Sequence, residues 1–232
     1  MGKAMNKRIA SILFFACLTS CASDVEKTFE ARSEKLNQMF QEYYSIPVHR
    51  KETAEGTVVW KGLAEIQSMY SRRRDELSAL DRYYIELGQA KDPKWSDDAV
   101  LFRAVLHVLW TALNPEESTE RNGISAIGQY LEASSAAHVE DATKQQLENV
   151  YFKKQEGYFD PQMSFEDNVA ISLAIYQSQL HIKLNEYAKA VTILEGVAKK
   201  FPGNGYEVFL KGQTEAVKEL NAGKRKLPEP PE

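Results

Sequence analysis

Apolar side chains recur along most of this chain three or four positions apart, the period of a helix with one buried face, and they rarely alternate as a strand would. Val25, Phe29, Leu36, Met39, Phe40 and Tyr43 fall on one side of a helix over 24–44. Ser45-Ile46-Pro47 ends it, because the residue before a proline avoids helical angles. Residues 49–56 are polar and read as a loop. A longer stripe of Leu63, Ile66, Met69, Tyr70, Leu77, Leu80, Tyr84 and Leu87 predicts a second helix over 58–88, with Gly88 as its stop. Asp92-Pro93 marks a turn, and Ser96 opens a third helix whose first turn holds Asp97 and Asp98, where the helix dipole favours negative charge. Its run is placed at Ala99 to Leu113, and Asn114-Pro115 closes it. Further helices are expected over 118–136, 139–155, 164–184, 187–200 and 205–222.

Only Val58-Val59-Trp60 has strand character, and it is short and flows into a helical pattern. No hairpin dipeptide separates two alternating runs. The expected class is therefore all-α, with short links that make successive helices antiparallel neighbours. The tail KRKLPEPPE at 224–232 has too little apolar surface to pack, and 223–232 is expected to be disordered.

The first 21 residues follow a different plan. Lys3, Lys7 and Arg8 give a positive start, residues 9–18 form an apolar run, and small Thr19 and Ser20 lead to Cys21. A run of ten is far short of the roughly 20 residues that span a bilayer. Leu18-Thr19-Ser20-Cys21 resembles the lipobox of bacterial lipoproteins. That resemblance implies a signal peptide over 1–20, a diacylglyceryl thioether on Cys21, and an acylated (palmitate-type) amino terminus after cleavage. Ala22 and Ser23 after the cysteine, in place of an aspartate, imply outer-membrane attachment facing the periplasm in a Gram-negative host. The membrane would then be a partner through the covalent lipid, with each buried methylene stabilising attachment by about 0.8 kcal/mol. Cys17 would leave with the signal, so the remaining chain would carry no disulfide and no cysteine metal ligand.

Over 171–204 the chain resembles a tetratricopeptide repeat, a helix-turn-helix unit of 34 residues. Ser178 stands at the small position of the first helix, Tyr187 at the aromatic position opening the second, Ala190 and Leu194 at its small-then-large pair, and Pro202 at the terminating proline. Gln177, His181 and Val197 depart from the pattern. A weaker echo has Gly123-Ile124 and then Ala126 followed by Tyr130. The expectation is a TPR-like α-solenoid or helical-repeat bundle of stacked antiparallel hairpins over 21–222; a plain helical bundle is the alternative. The resemblance implies that first helices line the binding surface, which assigns Ser172, Ile175, Gln179, Ile182 and Lys183 to a protein partner.

Charge and chemistry narrow the picture further. The chain carries 29 basic and 33 acidic residues, net −4, and becomes more acidic without its first 20 residues. Such a balance does not attract phosphate backbones, so nucleic acid is not an expected partner. His49, His107, His138 and His181 are scattered, none in an H-E-x-x-H pair, and no metal or other cofactor is expected. His107, between Leu106 and Val108, reads as a satisfied core residue. No nucleophile elbow, S-x-x-K set or phosphate loop is present, so no catalytic residue is assigned. Arg72, Arg73 and Arg74 point in three directions around a helix, with Glu76 placed to pair with Arg72. Trp60, Trp95 and Trp110 read mostly as core candidates, with Trp95, beside a turn, also a candidate interface anchor. The reading that follows is a membrane-anchored adaptor binding protein partners in an envelope assembly. The alternative is a ligand-binding or transporter-accessory lipoprotein with a pocket between helices, and a hydrolase would need paired acids in a cleft.

Overall fold

The computed structural model describes residues 3–47, 49–52, 58–90, 95–133, 141–148, 160, 162–203 and 205–225; for 3–23, 49–52, 58–61 and 142 this means the backbone alone. In chain order the elements are α1 (Lys3–Ser45), β1 (His49–Glu52), β2 (Val58–Lys61), α2 (Leu63–Gln89), α3 (Ser96–Leu113), α4 (Glu117–Ala133), α5 (Asp141–Leu147), α6 (Phe165–Lys183), α7 (Tyr187–Lys200) and α8 (Glu207–Asn221). The class is all-α with packed neighbouring helices, as the apolar period requires: α2 packs on α3, α3 on α4, α4 on α6, α6 on α7 and α7 on α8.

One small hairpin departs from the expected reading. β1 and β2 pair antiparallel, His49 opposite Lys61 and Glu52 opposite Val58, so residues read as loop and helix are strand. The β-branched Val58-Val59 finds its partner in a polar segment with no apolar alternation, which is why the period is silent there. Helix α2 accordingly starts at Leu63, after Gly62 at φ 94°, a left-handed value that glycine adopts without a Cβ clash. Leu63, placed in the apolar stripe by spacing, is instead one of the exposed large hydrophobics. The expected helix over 139–155 is described only as α5, and its later part lies outside the described residues, as do 226–232 of the tail.

An aromatic knot fixes α1 against α2 and α3. Phe29 of α1 meets Phe102 of α3 edge-on at 5.2 Å between ring centroids, Trp95 at 5.0 Å and Tyr84 of α2 at 6.3 Å. Tyr84 and Phe102 stack at 5.8 Å, and offset and edge-on rings of this kind add attraction beyond their buried area. Trp95 is 7% exposed, so it belongs to this core and is not a surface anchor. Leu36, Met39 and Phe40 continue the α1 face along the same core.

Helix α6 is buried on both sides, with apolar residues on more than one face. Val169, Ala170, Leu173 and Leu180 join the large core formed with α1 to α4. Ile171 and Ala174 join a second core with Ala190 and Leu194 of α7 and Leu210 and Val217 of α8. Ser164 caps the helix by accepting from the Asp167 N–H at 3.1 Å. The tight turn into α7 passes through Asn185 at φ 57°, with the Asn185 and Glu186 amides donating back to the Ile182 and His181 carbonyls. Ser178 and Ala190 are both buried, as expected of small residues between close helices.

Gly123 marks the tightest approach of α3, α4 and α6. A Cβ there would lie 2.9 Å from Thr111 Cγ2 and 3.1 Å from Leu180 Cδ1. Thr111 cannot yield easily, because its hydroxyl is held by the His107 carbonyl at 2.8 Å. Gly123→Ala should therefore lower stability by about 1–2 kcal/mol in urea unfolding, overpacking outweighing the gain in helix propensity. The buried Gln177 uses the neighbouring gap: its amide donates to the Ile124 carbonyl at 2.9 Å, beside Gly128, where a side chain would crowd it. This departure from the repeat pattern is thus a satisfied cross-helix bond.

Candidate functional site

The five residues assigned to a partner surface all lie on α6, and they do not form one open face. Ile175 and Ile182 pack against the second core, beside α7. Ser172 is half-buried beside the Tyr206 hydroxyl. Only Gln179 and Lys183 are exposed, and the Lys183 ammonium lies 3.8 Å from the Glu120 carboxylate of α4. The assigned line of residues is mostly the seam between hairpins. Cys21 lies within α1, and its side chain is outside the described residues.

The most concentrated polar chemistry sits where α2, α3 and α4 meet. Arg103 and His107 are four residues apart on α3 and therefore share a face. Asp81 Oδ1 of α2 accepts from Arg103 Nε at 2.8 Å and lies 3.0 Å from His107 Nε2. Arg103 Nη1 reaches on to Gln129 Oε1 of α4 at 2.7 Å. Burial pushes the Asp81 carboxyl up, but the hydrogen bonds from His107 and Arg103 more than offset it and hold the group below its usual range. An ionised carboxylate only accepts, so His107 Nε2 donates. The expected satisfied core histidine is half correct, since buried His107 Nδ1 has no hydrogen-bond partner. The imidazole is 2% exposed and stacks on the Trp110 indole at 5.5 Å, so no edge of it faces solvent. As arranged, the cluster pins three helices together.

Asp81→Asn should cost about 1–3 kcal/mol at pH 7 by weakening two charge-assisted bonds in a partly buried place. The pH sign follows from the lowered folded value. The Asp81 contribution is complete above the unfolded carboxylate value of about 4 and is lost as pH falls through the lower folded one. Urea unfolding of the two chains should show their gap narrowing from pH 7 to pH 3.

Elsewhere charges also bridge helices. Glu42 of α1 accepts from Arg72 at 2.7 Å and from Arg73 at 2.8 Å, while Glu76 pairs with Arg73 at 2.9 Å and with Lys35 at 3.1 Å. The local pairing of Arg72 with Glu76 is replaced by this contact to α1; Arg74 stays exposed. Hydrogen bonds from Arg72, burial notwithstanding, keep the Glu42 carboxyl below its usual range. His181 bridges the turn after α6, Nδ1 to Glu186 Oε2 at 2.7 Å, and this bond is the main cause that lowers Glu186 to about 2. At the centre, burial raises Tyr176 to about 12, its hydroxyl donating to the Val108 carbonyl at 3.2 Å beside Thr111.

Sequence spacing could have paired Arg103 with His107, but Asp81 and Gln129 join them only through the packing of α2 and α4 on α3. Among the described residues no group of three histidine, cysteine, aspartate or glutamate side chains could hold a metal ion, and no helix is long and apolar enough to cross a membrane. The surface carries clefts at helix margins: one of about 370 Å³ between the start of the described α1 side chains and the end of α2, one of about 450 Å³ at the opposite ends of these helices, and one of about 290 Å³ between α7 and α8. Comparison with protein-family models, with curated proteins and with solved structures found no match to this chain.

Proposed function

We propose that this protein is a lipid-tethered helical-repeat scaffold of a bacterial envelope, held at a membrane through Cys21 and engaging protein partners with the sides of its helical stack. The single observation that carries the tether is the ordered set of basic start, apolar run and Leu18-Thr19-Ser20-Cys21. The stack of packed hairpins supports the scaffold part, since such arrays offer extended faces to other chains. Attachment is to the outer membrane, facing the periplasm, if the host is Gram-negative.

The partner face is not the α6 line of Ser172, Ile175, Gln179, Ile182 and Lys183 as a whole, because its two isoleucines are committed to packing. Cross-linking in native envelopes, followed by identification of the captured proteins, tests the scaffold reading. Reproducible capture of the same membrane-associated proteins supports it. Capture of nothing above background, together with a metabolite retained by the purified protein, would replace it with the ligand-binding alternative.

A further inference from the structure

The cleft of about 370 Å³ between α1 and α2 lies at the start of the folded body, next to the proposed tether. Its α1 wall is Asp24, Val25 and Thr28, which stand three, four and seven residues after position 21 on the same helix. Those are the spacings that share a helix face, so the cleft opens along the stripe on which residue 21 sits. With a rise of 1.5 Å per residue, Val25 is only about 6 Å along the axis from that position. The opposite wall comes from the last turns of α2: the ring of Tyr83, Leu87 and Ala90.

Among the described residues the surface that lines it is mostly apolar, and the charged side chains there, Asp24 and Glu86, are both acidic. An apolar chain ending in a carboxylate is disfavoured there by like-charge repulsion, whereas a chain joined through an ester, amide or other neutral link is not. At about 30 Å³ for a water-sized group, its volume of about 370 Å³ matches about a dozen such groups, enough to seat part of one fatty-acyl chain along an open groove.

We infer that this cleft houses one acyl chain of the lipid on Cys21. The inference rests on the proposed tether and adds a groove that covers one side of one chain while the others enter the bilayer. A lipoprotein with such a cleft exposes less apolar surface whenever its anchor is out of the membrane.

The test uses the full chain carrying Cys21→Ser, which cannot take a thioether lipid at that position, and dodecyl maltoside below its micelle concentration as a neutral single-chain probe. Methyl-detected NMR should show saturable shifts at Val25, Leu87 and Ala90. Ala90→Asp, an exposed substitution at the cleft wall, should weaken that binding at least tenfold while leaving the remaining methyl spectrum in place. Laurate at pH 7 should bind more weakly than the neutral probe. No saturable shift at these methyls, or equal binding by the Ala90→Asp chain, overturns the cleft assignment; laurate binding as tightly as the maltoside overturns the neutral-link argument. Mass spectrometry of the envelope-derived protein judges the tether separately, so an unlipidated Cys21 with an intact cleft response is distinguishable from a lipidated Cys21 with none.

Discussion

Phe102→Ala should lower unfolding stability by about 3–5 kcal/mol, the largest single loss among the core positions discussed. Its ring is fully buried and touches aromatic partners on two sides, Phe29 of α1 and Tyr84 of α2, while Trp95 packs on Phe29 behind it. Truncation leaves a void between helices that cannot all close on it, since α2 and α3 are also tied by Asp81 and Arg103. Trp95 provides the readout, because its indole packs on Phe29 at 5.0 Å, and near-ultraviolet dichroism should weaken along with the drop in the urea midpoint. A loss below 1 kcal/mol would mean that α1 is not docked on α2 and α3 by this knot.

The second large effect concerns location. Cys21→Ser removes the only sulfur that the lipobox pattern offers for a thioether, and it should move the protein from the membrane fraction to the soluble one. A single acyl chain gives only marginal attachment, whereas two or three hold firmly, so the shift should be close to complete. Among the described residues no helix is long and apolar enough to cross a membrane in place of the anchor. Fractionation at high salt checks this, since it strips proteins bound by charge alone. Equal membrane retention of both chains would place attachment in a partner and not in the lipid.

Much of the helical plan was legible because single residues act locally. Helices α6 and α7 begin and end within a residue or two of their expected bounds, where Ser164 and Pro202 provide start and stop chemistry; α3 ends as expected before Asn114-Pro115 but begins at Ser96, three residues before Ala99, with Trp95 at its N-cap and no side-chain cap. What escaped depends on residues far apart in sequence. Strand β1 is polar and becomes strand only through its pairing with β2. Glu42 meets Arg72 and Arg73, and Asp81 meets His107, only because helices pack side by side. The partner line on α6 does not form one open face for a related reason: repeat analogy assigns a concave face, but the half-buried Ile175 and Ile182 supply apolar surface to the core shared with α7.

The account places its central weight on a covalent lipid at one sulfur atom. Mass spectrometry of the amino-terminal peptide from envelope-purified protein tests this most directly. The predicted result is a peptide beginning at Cys21, heavier by a diacylglyceryl group and an amide-linked acyl chain. A peptide with an unmodified thiol at Cys21, or one that continues through Ser20 into residue 21, would contradict it.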